Sequence, residues 1–172
     1  MKLIHYSNDY IDYLENREYP QTDLNWQAKP NGLWFSIEEV EEYDKLPNNY
    51  NWKEWCEAER YRVEALIHSY QITLKDEAKI LHLKTKEQIL EFSKQYPLKT
   101  RDWDAEWDTY QLQWDEVKEK YQGIIIAPYQ WDCRLSLESC WYYGWDCASG
   151  CIWDIDCIKS FNYIEQKEAC HG

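Results

Sequence analysis

Tryptophan and tyrosine dominate the apolar residues, with eleven Trp and fifteen Tyr against only three Phe in 172 residues. Acidic chains that stay disordered are poor in aromatic residues, so one this rich in them is expected to fold around a core. Its length fits one domain, 1–172, large enough to bury that core without disulfide or metal staples.

Charge narrows the partners. There are 32 Asp and Glu against 19 Lys and Arg, a net −13. A bare phosphate backbone needs clustered cations and is excluded as the main partner, although a nucleic acid held locally is not. Long-range attraction to a basic protein surface is reasonable at this charge. Residues 1–14, Met-Lys-Leu-Ile-His-Tyr-Ser-Asn-Asp-Tyr-Ile-Asp-Tyr-Leu, lack the apolar segment and small-residue cleavage site of an export signal. No apolar run reaches the roughly 20 residues that span a bilayer. A cytoplasmic location without a membrane partner is therefore expected.

Six of the seven cysteines fall in the last forty residues, from Cys133 to Cys170. No Cys-x-x-Cys occurs, and no nearby histidine completes a zinc set, so the expectation is reduced, buried thiols and no metal.

Residues 2–6 and 33–36 read as short strands, the second entered through the Lys29-Pro30-Asn31-Gly32 turn. Residues 38–42 are an acidic stretch that reads as a solvated helical turn. Asn51 caps a helix through Trp52, Trp55 and Cys56. Strands are expected at 63–74 and 78–84, then a helix over 86–96 opened by Thr85 and Gln88 as a capping box. Trp103, Trp107, Tyr110, Trp114, Val117 and Tyr121 fall at intervals of 4, 3, 4, 3 and 4, which predicts a long helix with one aromatic stripe. Ile124–Ala127 reads as a buried strand, and 141–158 as two more around a tight connection. Strands and helices do not alternate regularly, so the class is α+β.

The site candidates have plain structural readings. His5 near a strand end is a surface or satisfied histidine, Trp34 is core, and Asp146 caps a turn with Ser149 sharing its hydrogen bonds. Arg101 and Arg134 are the readiest phosphate contacts, or surface ion pairs. His68 and His82 have no evident partner. Phosphate-cradling glycine loops and His-Glu-x-x-His are absent.

Read together, four segments carry a resemblance. They are Leu3-Ile-His-Tyr-Ser7, Gly32-Leu-Trp-Phe-Ser36, Asn51-Trp-Lys-Glu-Trp-Cys56 and Ser149-Gly-Cys-Ile-Trp-Asp154. In order and spacing they resemble the ADP-ribosyltransferase superfamily of the diphtheria-toxin and poly(ADP-ribose) polymerase type. The motifs cover about twenty residues; the element order covers most of the chain. In that family a first strand ends in His-Gly-Ser/Thr, and here Tyr6 takes the Gly place. A second strand reads Gly-x-aromatic-Phe-small, and a late strand opens on the catalytic Glu, where this chain has Ser149. Asp146 lies three residues earlier, with Glu138 further back.

The resemblance implies split mixed and antiparallel sheets with flanking helices, and NAD as substrate. The implied activity is mono-ADP-ribosyl transfer by a toxin or effector to an unread acceptor, protein or nucleic acid. It implies His5 holding the ribose hydroxyls, Trp34 walling the nicotinamide, and Tyr6, Ser7, Gly32 and Ser36 completing the NAD contacts. Asp146, or the position of Ser149, would stabilise positive charge on the ribose. Two other readings stand beside it: a module that binds NAD or ADP-ribose without turnover, and a non-catalytic acidic inhibitor or nucleic-acid mimic.

Overall fold

A computed structural model describes residues 1–15, 17–19, 29–38, 51–97 and 112–164. The acidic stretch after Glu38, Arg101, the stripe residues Trp103, Trp107 and Tyr110, and Cys170 lie outside them.

Seven strands form one mixed sheet in the order β4-β5-β6-β2-β1-β3-β7. They are β1 Leu3–Ser7, β2 Leu33–Ile37, β3 His68–Leu74, β4 Ile80–Leu83, β5 Gly123–Ile126, β6 Ser149–Ile152 and β7 Ile158–Tyr163. Only β4 and β5 pair in parallel. The class is α+β, as the element order predicts, but separate sheets are not found: the strands are continuously hydrogen-bonded. There is nevertheless a seam. β1 pairs with β3 along all five of its residues, yet meets β2 only at Leu3↔Ile37 and Ile4↔Ser36. Beyond Ile4 the two central strands part.

Helix α1, Trp52–Glu59, begins on a complete capping box: Asn51 Oδ1 accepts from the Glu54 amide, and Glu54 accepts from the Asn51 amide. In α2, Lys86–Gln95, the Thr85 hydroxyl accepts from the Gln88 amide, but the Gln88 side chain accepts from Lys84 instead of closing the box. Two short helices follow, α3 Trp114–Lys118 and α4 Trp131–Arg134.

Three sequence expectations are corrected. The expected helix does not run unbroken to Tyr121: among the described residues Leu112 makes an antiparallel bridge with Pro97, and α3 covers only Trp114–Lys118. Residues 63–66 form a 3₁₀ turn, closed by the Ala65 amide on the Arg62 carbonyl, and the strand begins at His68. Residues 137–144 are 3₁₀ rather than strand. Trp141 and Tyr142 are adjacent and both buried, which the in-out alternation of a strand forbids.

The core fills with aromatics, and some of their polar ends find partners while Trp114 Nε1 and Trp145 Nε1 are buried without one. Trp141 Nε1 donates to Ser93 Oγ at 2.8 Å, and that hydroxyl donates to the Ile89 carbonyl at 2.9 Å. Gly150 is needed for close approach: a Cβ there would lie 2.3 Å from the Phe35 ring and 2.6 Å from the Ile124 carbonyl. No helix among the described residues is long and apolar enough to cross a membrane.

Candidate functional site

A cavity of about 300 Å³ opens beside the seam. Three central strands and the turn before β6 build it, with α1 and the 3₁₀ turn at its rim. Ile4, Tyr6, Trp34, Ser36 and Ser149 all line it and share one face, as the pairs Ile4↔Ser36 and Ser36↔Ser149 dictate. His5 alternates to the other face but also lines the cavity, at the point where β1 leaves β2. Asp146 and Cys147 enter from the turn before β6; Lys29, Trp52 and Arg62 complete the wall.

The His5 ring is fixed. Its Nδ1 lies 2.7 Å from the Trp34 carbonyl, which only accepts, so Nδ1 carries the proton and Nε2 is left as an acceptor. Burial lowers its pKa below 6.5, with the Trp34 bond opposing. The neutral ring is therefore the working form at neutral pH.

This has a consequence for stability. Between the lowered folded value and 6.5 the unfolded chain binds a proton that the folded chain refuses, so stability falls as pH drops through 6.5. His82 acts in the same direction through burial and Lys84. We expect the stability gap between wild type and His5→Asn to shrink from pH about 7 to about 5, read from urea midpoints. A gap independent of pH would refute the burial argument.

Among the described lining residues Asp146 is the one carboxylate, and it is held. Arg134 Nη2 donates to its Oδ1 at 3.0 Å, with both side chains about four-fifths buried, and Arg134 also reaches the Tyr129 hydroxyl. Lys29 faces the same group. Burial lowers its pKa, and attraction to Asp146 opposes the shift. Its Nζ lies 5.1 Å from the Trp34 ring centre. Trp34 leans edge-on against fully buried Trp145, with centroids 4.8 Å apart. The Tyr6 hydroxyl donates to Glu38, and burial with that acidic partner raises its pKa.

The thiols at and beside the cavity, Cys56, Cys147 and Cys151, are free and buried. Burial pushes Cys147 up to about 12 and Cys56 to about 11, and raises Cys151 further. Among the described residues no cluster of His, Cys, Asp and Glu could hold a metal.

Of the residues singled out from sequence, His5, Tyr6, Trp34, Ser36, Asp146 and Ser149 meet in the cavity, and Ser7 and Gly32 are not among its lining residues. Ser7 sits at the end of β1, where its hydroxyl accepts from the Asp9 amide and shapes a turn. Gly32 serves packing: a Cβ would meet the Ile152 carbonyl at 2.4 Å and Cys151 Sγ at 2.6 Å. The Ser149 hydroxyl donates to the Cys147 carbonyl, and Ser36 Oγ accepts from the Trp52 amide, tying α1 to the cavity floor. Glu138 is not among the lining residues. Lys29, Trp52, Arg62 and Cys147 were not foreseen as lining the site. The only local clue was Lys29's place in the turn that enters β2.

Comparison with family models, with curated proteins and with solved structures found no match.

Proposed function

We propose that this chain binds NAD in the seam cavity and transfers its ADP-ribose to an acceptor. One observation carries the reading: His5, Trp34 and Asp146, from three separate segments, line a single cavity. Each suits one need of the reaction. His5 Nε2 takes a ribose hydroxyl proton as a hydrogen-bond acceptor while the Trp34 carbonyl holds the ring in place. Trp34, braced by Trp145, offers a flat wall to the nicotinamide. Asp146 supplies negative charge beside the ribose as the bond to nicotinamide breaks and an oxocarbenium-like cation develops. Arg134 fixes the aim of that carboxylate through its 3.0 Å contact.

The same ion pair favours a second reading. A carboxylate already neutralised by Arg134, with Ser149 in the position where the family carries Glu, suits a module that binds NAD or ADP-ribose without cleaving it.

Labelled NAD, incubated with the protein and a mixed protein and nucleic-acid extract, tests both. Label transfer or nicotinamide release supports the transferase. Calorimetric binding of NAD without either supports the binding module. No transfer, no hydrolysis and no binding overturns both and favours the acidic interaction protein.

A further inference from the structure

Two arginines, one of them lining the cavity, hold a backbone conformation that L residues avoid. Arg60 has φ 53° and Arg62 has φ 47°. They are the only non-glycine residues with positive φ among those described. Arg60 is accounted for locally as the left-handed residue that ends α1. At such a position glycine is the economical residue, and Arg60 is fully consistent with simple helix termination.

Arg62 has no such account. It precedes the 3₁₀ turn Val63–Leu66, gives that turn no side-chain cap, and lines the cavity at its rim. Among the described residues its guanidinium makes no hydrogen bond or ion pair with another side chain. A strained arginine whose guanidinium has no hydrogen-bond or ion-pair partner among the described residues points to a role outside the fold. The surrounding charge says what role. Among the described residues the cavity wall carries the cations Lys29 and Arg62 and the carboxylate Asp146, which pairs with Arg134 and also attracts Lys29. Two cations thus stand on one wall in a chain of net −13. Carboxylates do stand nearby. Glu38 receives the Tyr6 hydroxyl, Glu54 and Glu57 act on Tyr6, and Glu57 and Glu64 act on Cys56, but none of the four is a lining residue.

We propose that Arg62, with Lys29, forms an anion subsite at the cavity rim that takes the pyrophosphate of a nucleotide ligand. The guanidinium fork matches paired phosphate oxygens and grips them with charge-assisted hydrogen bonds. Lys29 adds a point charge deeper in the wall. The subsite rests on the nucleotide reading of the cavity for its ligand, but not on any turnover there. It also resolves a tension in that reading, since a strongly acidic protein must compensate phosphate charge locally.

The test uses Arg62→Gly and Arg62→Lys, with ADP-ribose, inorganic pyrophosphate and nicotinamide as calorimetric probes. Glycine relieves the left-handed backbone, so Arg62→Gly should melt no lower than wild type. It should nevertheless bind ADP-ribose and pyrophosphate about tenfold or more weakly, with nicotinamide unchanged. Arg62→Lys should recover part of the loss. Improved or equal stability with weakened anion binding is an outcome that a purely structural role does not produce. Undiminished affinity in Arg62→Gly, or no pyrophosphate binding by wild type, overturns the subsite. Pyrophosphate bound through Arg62 without NAD binding would keep the subsite and remove the transferase. NAD bound independently of Arg62 would do the reverse.

Discussion

Asp146→Asn should reduce ADP-ribosyl transfer by about 10²–10³-fold while leaving NAD affinity nearly unchanged. The loss is confined to the transition state because negative charge beside the ribose matters most when the cation forms. Asparagine keeps the shape and can still accept from Arg134 through its Oδ1, so the 3.0 Å contact has a neutral substitute and the fold should hold. Thermal melting checks that, and single-turnover nicotinamide release reads the chemistry. Turnover equal to wild type would remove Asp146 from the mechanism. Glu138 would not then inherit the role, since it is not among the residues lining the cavity.

How far the sequence foretold this arrangement differs between strands and site. The strands at Leu3–Ser7, Leu33–Ile37 and Gly123–Ile126 were legible because short apolar runs there are closed by turn residues. The caps at Asn51 and Thr85 were legible because capping is a local hydrogen bond between residues three apart. Periodicity misled where a distant strand segment intervened. The spacing from Trp103 to Tyr121 is helical, but Leu112 pairs with Pro97, fifteen residues away, and that pairing interrupts the pattern just before Trp114. The run of aromatic, small and cysteine residues after Cys140 likewise reads as strand, whereas the structure buries the neighbours Trp141 and Tyr142 together in a 3₁₀ segment.

The site divides along the same line. His5, Trp34 and Asp146 were found through motif order, which the sheet then brings together by placing β6 beside β2 and β2 beside β1. Their electrostatics were not legible. The Arg134–Asp146 pair spans twelve residues, and nothing in either local sequence announces it. Arg62 was invisible for a different reason: a left-handed φ at arginine has no sequence signature, unlike one at glycine or asparagine.

Trp145 ties the core to that wall, and its replacement should produce the largest loss of stability. The side chain is fully buried, stacks on Tyr142 at 5.9 Å, and meets Trp141 and Trp34 edge-on. Trp145→Ala should therefore cost about 3–5 kcal/mol through lost burial and a cavity in the core. Against a typical domain stability of about 5–15 kcal/mol that is a large share, seen directly as a lowered urea midpoint. Trp145→Phe should cost far less than its lost volume suggests. The indole Nε1 is buried with no hydrogen-bond partner, and an unmet buried donor carries a penalty of about 1–3 kcal/mol that phenylalanine removes. Equal costs for the two variants would mean that Nε1 is satisfied in solution, for example by a bound water. The functional effect should follow the packing. Trp34 rests on Trp145, so the alanine variant, assayed where it remains folded, should bind NAD more weakly, while the phenylalanine variant keeps the wall upright and the affinity with it.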